Sequence, residues 1–227
     1  MQAIILAGGQ GTRLQPFTNI IPKPMVPINN KAIIEIVIKN LKKNGFKEII
    51  ISTNYMSDLI KTFCGDGKKY NIKIKYIKEK KMLGTIGPLK IIKNLKEDFL
   101  LINGDIITDL NINKFFKNHK KNKSIMTVSA KKIQNKIDYG VIDVNNQNSL
   151  VAFKEKPNLN FLVSMGIYAF NQKILKYIPN NKYFGFDDLM KLMLKKNINV
   201  KIDISNKFWL DIGRYSDYIK AQKLKIK

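Results

Sequence analysis

The first half of the chain alternates short apolar runs with segments whose apolar residues recur every three to four positions. The apolar runs predict strands over residues 2–7, 48–53, 72–77 and 98–103. The periodic segments between them predict helices over residues 31–44, 56–63 and 85–95. Buried strands that alternate with helices are typical of a parallel sheet covered on both faces.

The second half has a looser pattern, with strands of more varied length. It predicts strands over residues 125–130, 140–144, 150–154, 161–170 and 200–204, and helices over 113–121, 172–177, 186–195 and 215–223. No linker, repeat or low-complexity tract interrupts the chain. The sequence therefore predicts a single α/β domain, a Rossmann-like doubly wound mixed sheet flanked by helices. Residues 1–110 are expected to form a nucleotide-binding half and residues 111–227 the other wall of the same cleft.

The charge of the chain is large, but it does not point to a polymer as ligand. The 227 residues carry a formal net charge of +24, and 39 of the 41 basic residues are lysines. These lysines are scattered rather than gathered into one basic arm, so drift in composition explains them and we expect no nucleic-acid partner. The single cysteine, Cys64, excludes an intrachain disulfide and fits a reducing compartment. There is no apolar run of about 20 residues and no basic leader, so we expect a cytoplasmic protein with no membrane partner.

A glycine-rich segment, Gly8-Gly9-Gln10-Gly11-Thr12-Arg13, directly follows the first predicted strand. Glycines allow backbone amides to approach phosphate oxygens closely. The segment is not a dinucleotide fingerprint, because Leu14 stands where a third glycine is needed, and not a P-loop, because Arg13 follows Thr12. The glycines alone leave open an ordinary strand-to-helix turn.

Two basic residues favour a phosphate site over an ordinary turn. Arg13 is one of only two arginines in the chain, the other being Arg214, and its planar guanidinium can hold phosphate oxygens bidentately. Lys23 lies between Pro22 and Pro24, which stiffen its backbone. An ordinary surface lysine is the alternative at position 23.

Seven further motifs follow in register, and together they resemble a known family. They are PKPMVPI from Pro22, MLGTIGPL from Met82, NGDIITDL from Asn103, DYGVI from Asp138, FKEKP from Phe153, MGIYAF from Met165 and FWLDIGRYSDY from Phe208. With LAGGQGTRLQPFT at Leu6, this series resembles the sugar-1-phosphate nucleotidyltransferases, also called nucleotide-sugar pyrophosphorylases. The similarity is greatest to the mannose-1-phosphate guanylyltransferase-like branch.

The resemblance implies a fold, a reaction and a set of site residues. The fold is the GT-A-like fold of nucleotide-diphospho-sugar transferases. The reaction joins a nucleoside triphosphate, GTP in this branch, to a mannose-like hexose or heptose 1-phosphate and releases pyrophosphate. The implied nucleotide-binding residues are Leu6, Ala7, Gly8, Gly9, Gly11, Thr12, Leu83, Gly84, Thr85, Asn103 and Gly104. The implied catalytic residues are Arg13 and Lys23, the Mg²⁺ ligands are Asp105 and Asp211, and the sugar-phosphate-binding residues are Tyr139, Gly140, Glu155, Lys156 and Ser164.

The implied chemistry suits a chain with one histidine and one cysteine. A phosphate monoester is already largely anionic near neutral pH, so the attacking oxygen needs no general base. We therefore expect His119 and Cys64 to be structural, and Trp209 to pack beside Asp211. Glu79, which precedes the Leu83-Gly84-Thr85 turn, either supports the nucleotide or is an exposed strand end.

Several alternatives stay open at this stage. UTP, dTTP or CTP could replace GTP, and Met165 stands where much of the family has a polar residue, which leaves the sugar open. Ser164 is expected to supply the missing polar contact. A non-catalytic sensor of nucleotide sugars is the alternative from another class. The sequence is compatible with a monomer or a homodimer.

Overall fold

The computed structural model describes residues 1–224 of the chain. The strands are β1 (Gln2–Ala7), β2 (Pro27–Ile28), β3 (Lys31–Ala32), β4 (Glu48–Thr53), β5 (Lys73–Lys78), β6 (Asp98–Asn103), β7 (Ile106–Thr108), β8 (Met126–Lys136), β9 (Val141–Val144), β10 (Leu150–Lys154), β11 (Asn158–Asn171), β12 (Lys201–Ile204) and β13 (Trp209–Asp211). The α-helices are α1 (Ile33–Lys43), α2 (Ser57–Cys64), α3 (Ile112–Lys121), α4 (Phe186–Lys195) and α5 (Tyr215–Gln222). Among residues 1–224, no helix combines the length and the apolar character needed to span a bilayer.

Seven strands form the central sheet in the order β12-β8-β11-β6-β1-β4-β5. Strands β6, β1, β4 and β5 are parallel to one another, and β11 is antiparallel to both of its neighbours. The mixed, doubly wound α/β sheet that the sequence predicts is thus confirmed. The central strands are almost wholly apolar because both faces are covered: Ala3 and Ile5 face one core and Ile4 the other.

Helix α1 illustrates how the pattern produces the packing. Its buried residues are Ile33, Ile34, Val37, Ile38 and Leu41, which form a single apolar stripe against the sheet. The chain leaves the helix at Asn44 and turns at Gly45, whose φ of +83° is readily adopted only by glycine. The predicted helix and its stop signal are both present.

The predicted helix over residues 85–95 is wrong: the segment contains only a short 3₁₀ turn, Gly87–Ile91. The backbone amides of Ile86 and Gly87 both donate to the carbonyl of Phe184, at 3.1 and 3.0 Å. Pro88 has no amide to donate. A tertiary contact thus fixes a conformation that the local pattern did not reveal. Residues 172–177 likewise form a 3₁₀ helix.

A β-ribbon, which we call the arm (residues 131–163), extends from the sheet. The outer halves of β8 and β11 pair with each other as far as Lys136 and Asn158, and the ribbon continues as the separate hairpin β9–β10. Where the arm joins the sheet, the register between β8 and β11 shifts after Ser164, at a bulge that contains Gly166 with a φ of +70°.

Candidate active site

A cleft of about 390 Å³ lies at the carboxyl ends of β1 and β6, where ligands bind in open α/β sheets. Thirteen of the predicted site residues line it: Leu6, Ala7, Gly8, Gly9, Gly11, Thr12, Arg13, Lys23, Gly84, Thr85, Asn103, Gly104 and Asp105. They come from segments up to about 100 residues apart in the chain. The fold therefore brings the glycine-rich segment, the Leu83-Gly84-Thr85 turn and the Asp105 turn to one place.

The glycine-rich loop is shaped by Gly11. This residue has a φ of +67°, and a Cβ on it would lie 2.9 Å from both Lys23 Cβ and Thr18 Cγ2. The Thr18 hydroxyl donates to the Gly11 carbonyl at 2.9 Å and fixes the turn. Only glycine allows the loop to pack so closely on the segment that carries Lys23.

Arg13 follows on a 3₁₀ turn, Thr12–Leu14, that is anchored by the fully buried Leu14. The Arg13 side chain lines the cleft and reaches Gly213: its Nη2 lies 3.5 Å from where a Gly213 Cβ would be. The guanidinium is thereby placed beside the carboxyl end of β13. Buried Leu14 explains why this loop lacks the third glycine of a dinucleotide fingerprint.

Asp105 is held by the tight turn that follows β6. The Gly104 amide donates to the Leu6 carbonyl at 2.9 Å, and a Cβ on Gly104 would lie 2.6 Å from that carbonyl oxygen. Glycine is therefore required for β6 to turn so close to β1. The Asp105 carboxylate forms an ion pair with the Lys23 ammonium, and both side chains are at least four-fifths buried.

Asp211 is brought beside Asp105 by a two-stranded ribbon that the sequence did not predict. Strand β13 pairs with β7, so that Asp211 lies opposite Ile106, and the Ile212 amide donates to the Asp105 carbonyl at 3.1 Å. Two carboxylates 106 positions apart in the sequence thus become neighbours. Burial, together with the charge of Asp105, raises the pKa of Asp211 to about 6, although Lys23 and Arg13 act in the opposite direction.

The two aspartates have free ligand atoms. The Oδ1 atoms of Asp105 and Asp211 are both buried and make no hydrogen bond. Carboxylate oxygens are the ligands that Mg²⁺ prefers, and it often takes one or two of them with the rest from substrate and water. Within residues 1–224 no cluster of three or more His, Cys, Asp or Glu side chains could hold a metal without such help. The pair therefore fits a hard cation shared with phosphate oxygens.

Glu79 is a cleft residue that sequence reasoning left undecided, and the exposed-strand-end alternative is wrong. Glu79 is only 8% exposed, and it lines the cleft beside Gly8. Its Oε1 accepts from the Ser52 hydroxyl at 2.9 Å and its Oε2 from the Leu83 amide at 3.2 Å. Burial raises the pKa of this carboxyl, which the two hydrogen bonds partly offset. Leu83, which was predicted to bind the nucleotide, is buried and does not line the cleft; its backbone amide donates to Glu79.

Four of the predicted sugar-phosphate residues lie together at the base of the β9–β10 hairpin and do not line the cleft. Gly140 lies against the Phe153 ring, and a Cβ on it would be 3.1 Å from Glu155 Oε2. Glu155 and Lys156 are exposed, with their charged groups 3.9 Å apart, and Tyr139 is also exposed. The structure thus groups Tyr139, Gly140, Glu155 and Lys156, while their role in binding a sugar phosphate stays a prediction.

The fifth, Ser164, lies at the bulge in β11. Its hydroxyl is 3.1 Å from the Tyr168 hydroxyl, and Tyr168 is buried. Burial raises the pKa of Tyr168, and the charges of Asp211 and Asp105 add to this effect. Tyr168, which sequence reasoning missed, therefore lies next to the Ser164 hydroxyl and within reach of the charges of the two aspartates.

Met165 does not reach the cleft, because its side chain is fully buried in the core. Its sulfur accepts from the Ser129 hydroxyl at 3.1 Å, and its carbonyl accepts from the Trp209 indole N–H at 2.8 Å. Trp209, two positions before Asp211 on β13, thus packs against the core and is held by the chain segment that carries Ser164.

His119 and Cys64 lie away from the cleft. His119 is fully buried, with its Nδ1 2.8 Å from the Thr127 hydroxyl and its Nε2 3.6 Å from Asp98, and burial lowers its pKa. Cys64 is also buried, and burial raises its pKa to about 12. A neutral histidine and an unreactive thiol are the structural residues that we expected.

Comparison with known proteins yields consistent matches along the whole chain. A family model described as "Nucleotidyl transferase" matches residues 2–227. The chain is 36% identical to the D-glycero-alpha-D-manno-heptose 1-phosphate guanylyltransferase of Campylobacter jejuni, over 96% of this chain and 97% of that protein. It is 30% identical to a UTP–glucose-1-phosphate uridylyltransferase of Synechocystis, of whose length it spans 62%. It also superposes on HddC from Yersinia pseudotuberculosis, solved in complex with GMP-PN, with a TM-score of 0.74 and 28% identity over 98% of both chains.

Proposed function

Because the chain belongs to the nucleotidyl transferase family, we propose that it transfers the guanylyl group of GTP to a sugar 1-phosphate of the manno-heptose or mannose type. The products are a GDP-sugar and pyrophosphate. The names of the Campylobacter relative and of mannose-1-phosphate guanyltransferases at 31% identity support this choice of donor and acceptor. The observation that carries the proposal is the convergence of Arg13, Lys23, Asp105 and Asp211 on one glycine-rich loop.

The reaction needs positioning and charge neutralisation more than proton transfer. An oxygen of the sugar phosphate attacks the α-phosphorus of GTP, a new P–O bond forms, and the bond from the α-phosphorus to the bridging oxygen breaks. The leaving pyrophosphate takes the bonding electron pair. The attacking oxygen is already anionic, so the barrier is dominated by repulsion between anions and by charge on the leaving group.

The side chains around the loop fit these demands. Arg13 can hold the β- and γ-phosphates bidentately and stabilise the pyrophosphate as charge develops on it. Lys23 is ready to contact the α-phosphate, and its ion pair with Asp105 holds it at the loop until phosphate oxygens compete for it. Gly8, Gly9 and Gly11 leave backbone amides accessible to the same anion.

Asp105 and Asp211 are the residues that would hold Mg²⁺, through their buried, unpaired Oδ1 atoms. When bound, the cation neutralises charge on the phosphate oxygens of the substrates. Asp211 must be ionised to bind it, so the raised pKa of Asp211 predicts that metal affinity falls as the pH drops through about 6.

The second half of the chain, from about residue 111, would supply the sugar site. Tyr139, Gly140, Glu155 and Lys156 would provide hydroxyl-binding and phosphate-binding groups at the base of the arm. The Ser164 hydroxyl, which donates a hydrogen bond to the Tyr168 hydroxyl, would add a further polar contact to the sugar. Glu155 and Lys156 are exposed and form only a long ion pair, with 3.9 Å between their charged groups, so a ligand can reach both of them.

Glu79 supports guanine as the base. Guanine presents two adjacent donors, N1–H and N2–H, on one edge, and a carboxylate presents two acceptor oxygens that match them. Each Glu79 oxygen accepts one hydrogen bond from the protein and has a lone pair left. Uracil and thymine place carbonyl oxygens beside their single N–H, so the same carboxylate would repel them.

The proposal is tested by measuring pyrophosphate release over a matrix of GTP, UTP, dTTP, CTP and ATP against heptose, mannose and glucose 1-phosphates. We expect turnover that requires both substrates and Mg²⁺ and is highest with GTP. Arg13→Ala should lower kcat/KM by about 10²-fold or more, whereas Arg214→Ala, at the chain's other arginine, should keep wild-type activity. Binding of nucleotide sugars without turnover on any pair would instead favour the sensor alternative.

The base assignment has its own test, the isosteric Glu79→Gln variant. An amide offers one donor and one acceptor, so the preference for GTP over UTP should fall by about 10-fold or more, given about 1–3 kcal/mol for a bidentate base contact. Ser52→Ala, which removes only a supporting hydroxyl, is the matched control and should keep guanine preference. An unchanged GTP-to-UTP ratio in Glu79→Gln would show that this carboxylate does not select the base.

A further inference from the structure

Tyr183 is the only aromatic residue among the described residues that line the cleft. It is 66% exposed, and Met82, the other large apolar residue of the cleft that is left mostly in water, is 56% exposed. A single exposed tyrosine on an open surface needs no explanation. In a cleft expected to hold a nucleotide, however, a flat ring with a free face offers a stacking surface to a base.

The backbone beside Tyr183 is fixed against the Leu83-Gly84-Thr85 turn. The Phe184 amide donates to the Leu83 carbonyl at 2.9 Å, and the Phe184 carbonyl accepts two amides of the segment that follows the turn. The contact leaves no room for a side chain at position 84, since a Cβ on Gly84 would lie 2.7 Å from the Phe184 carbonyl oxygen. The Tyr183 side chain therefore starts from a defined place beside the turn.

The Tyr183 ring is free, in contrast to the aromatic rings that follow it. Phe184 and Phe186 pack against the core that contains Ile4. Phe186 also stacks on Tyr168, with 4.5 Å between the ring centroids. Within residues 1–224 the Tyr183 ring stacks on no other aromatic ring, and its hydroxyl has no hydrogen-bond partner from the protein. The fold thus anchors two rings of this segment in the core and leaves the third to the cleft.

Two hydrogen bonds connect the Tyr183 segment with the carboxylate proposed to read guanine. The Leu83 amide donates to Glu79 Oε2 at 3.2 Å, and the Leu83 carbonyl accepts from the residue after Tyr183. A carboxylate that pairs with N1–H and N2–H of guanine lies in the plane of the base, so it covers neither face. Gly8, which packs beside Glu79, offers bare backbone to one face. The phenol ring is the flat group available for the other.

We propose that Tyr183 stacks on one face of the guanine of GTP and completes the base site that Glu79 begins. The inference rests on the proposed function, because it needs a nucleotide in this cleft. Every base has a π-face, so stacking adds affinity for any nucleotide, whereas in-plane hydrogen bonds select one base. The predicted sugar-phosphate residues lie at the base of the arm, which assigns the ring to the donor and not to the acceptor.

The first test is the Kd of GTP in the presence of Mg²⁺, measured by isothermal titration calorimetry without a sugar phosphate. Tyr183→Ala should raise this Kd by about 5-fold or more, the low end of the range for a base–aromatic stack. Tyr183→Phe keeps the ring and should keep the wild-type Kd. Tyr215→Ala is the matched control, since Tyr215 is 55% exposed on α5 and does not line the cleft.

Steady-state kinetics separate a base contact from other roles of the ring. The base does not change during the reaction, so a stack stabilises the ground state and the transition state equally. Tyr183→Ala should therefore raise KM for GTP and leave kcat and the KM for the sugar 1-phosphate near the wild-type values. A change confined to the KM for the sugar 1-phosphate would place the ring at the acceptor and overturn the proposal.

A spectroscopic measurement locates the ring directly. Guanine quenches the fluorescence of an indole on which it stacks, and the wild type, whose only tryptophan is Trp209, gives the background. Tyr183→Trp should lose fluorescence with GTP but not with inorganic triphosphate, which has no base. Tyr215→Trp should respond to neither.

The outcomes distinguish the stack from the proposed reaction. An unchanged Kd in Tyr183→Ala, or quenching of Tyr183→Trp by inorganic triphosphate or a sugar 1-phosphate alone, would overturn the stack while turnover by the wild type still stands. An equal loss of affinity in Tyr183→Phe would assign the effect to the hydroxyl and also overturn it. A wild type that binds no nucleoside triphosphate would overturn both the stack and the proposed function.

Discussion

Replacing Asp211 with asparagine is expected to stabilise the metal-free fold while it removes metal-dependent activity. The Asp211 Oδ1 atom is buried without a hydrogen-bond partner, and the charge of Asp105 lies close to it. The folded chain therefore holds an ionised carboxylate where a neutral group would be more favourable. Functional sites often carry such a cost, because the ligand that relieves it is absent from the free protein.

The size of the effect follows from the pKa of Asp211, which the fold raises from 3.8 to about 6. One pKa unit corresponds to about 1.4 kcal/mol, so a fully shielded group would cost about 3 kcal/mol at neutral pH. Partial exposure and titration shared with Asp105 reduce this to roughly 1–2 kcal/mol. For a domain of this size the melting temperature should rise by about 2–8 °C.

The raised pKa of Asp211 also determines how the stability difference between the variant and the wild type changes with pH. A carboxyl whose folded pKa is raised penalises the fold fully above about pH 6, progressively less between pH 6 and 3.8, and not at all below that range. The difference in stability between Asp211→Asn and the wild type should therefore be greatest above pH 7. It should shrink between pH 6 and 4 and vanish below about pH 3, where the wild-type carboxyl is protonated in both the folded and the unfolded state.

Thermal unfolding in EDTA and in Mg²⁺, followed by circular dichroism across this pH range, measures both parts of the prediction. Mg²⁺ should stabilise the wild type and leave the Asp211→Asn variant almost unchanged, since one of the two metal ligands is lost. Asp109→Asn, at an exposed carboxylate just after β7, is the control and should match the wild type. A lower melting temperature for Asp211→Asn in EDTA at pH 7.5 would refute the reasoning.

Two further substitutions test the loop that carries the cations. Arg13→Lys keeps the charge but loses the bidentate fork, so kcat for pyrophosphate release should fall by about 10-fold or more while the melting temperature stays unchanged; full activity would show that a point charge suffices. Gly11→Ala forces a Cβ to within 2.9 Å of Lys23 and Thr18 at a φ of +67°. The Gly11→Ala substitution should lower the free energy of unfolding, measured in urea, by about 1–3 kcal/mol and raise KM for the nucleotide. Gly9→Ala is the control: a Cβ at position 9 meets no atom within 4 Å, so this variant should keep a free energy of unfolding near that of the wild type.

Most of the fold was predictable because its signals are local. The runs that form β1, β4 and β6 are apolar on both faces, and the stripe on α1 is periodic, so each is visible within about ten residues. The segment over residues 85–95 was not predictable, because its conformation depends on hydrogen bonds to Phe184, about 100 positions away. No local pattern reports a contact of that kind.

In the candidate site, too, the features with a local sequence signal could be predicted and those that depend on long-range contacts could not. The glycine-rich loop and the Asp105 turn each have a strong local motif, and both line the cleft. The ribbon of β7 and β13 consists of three-residue strands about 100 positions apart, too short to show a strand pattern. The burial of Glu79 depends on Ser52 from the neighbouring strand, and in the sequence Glu79 simply stands among lysines.

The position of the few acidic residues is a stronger argument about function than the excess of basic ones. The chain has 17 acidic residues against 41 basic ones, yet Glu79, Asp105 and Asp211 are all at or beside the cleft expected to bind polyanions. A site that only attracted phosphates would be weakened by these carboxylates, because like charges repel and burial adds a desolvation cost. The protein supplies only part of the compensation that these carboxylates need: Lys23 pairs with Asp105, and Ser52 and the Leu83 amide donate to Glu79. Mg²⁺ would meet this need for Asp105 and Asp211, and the donor edge of guanine would meet it for Glu79, while the surrounding lysines only raise the rate at which anions arrive.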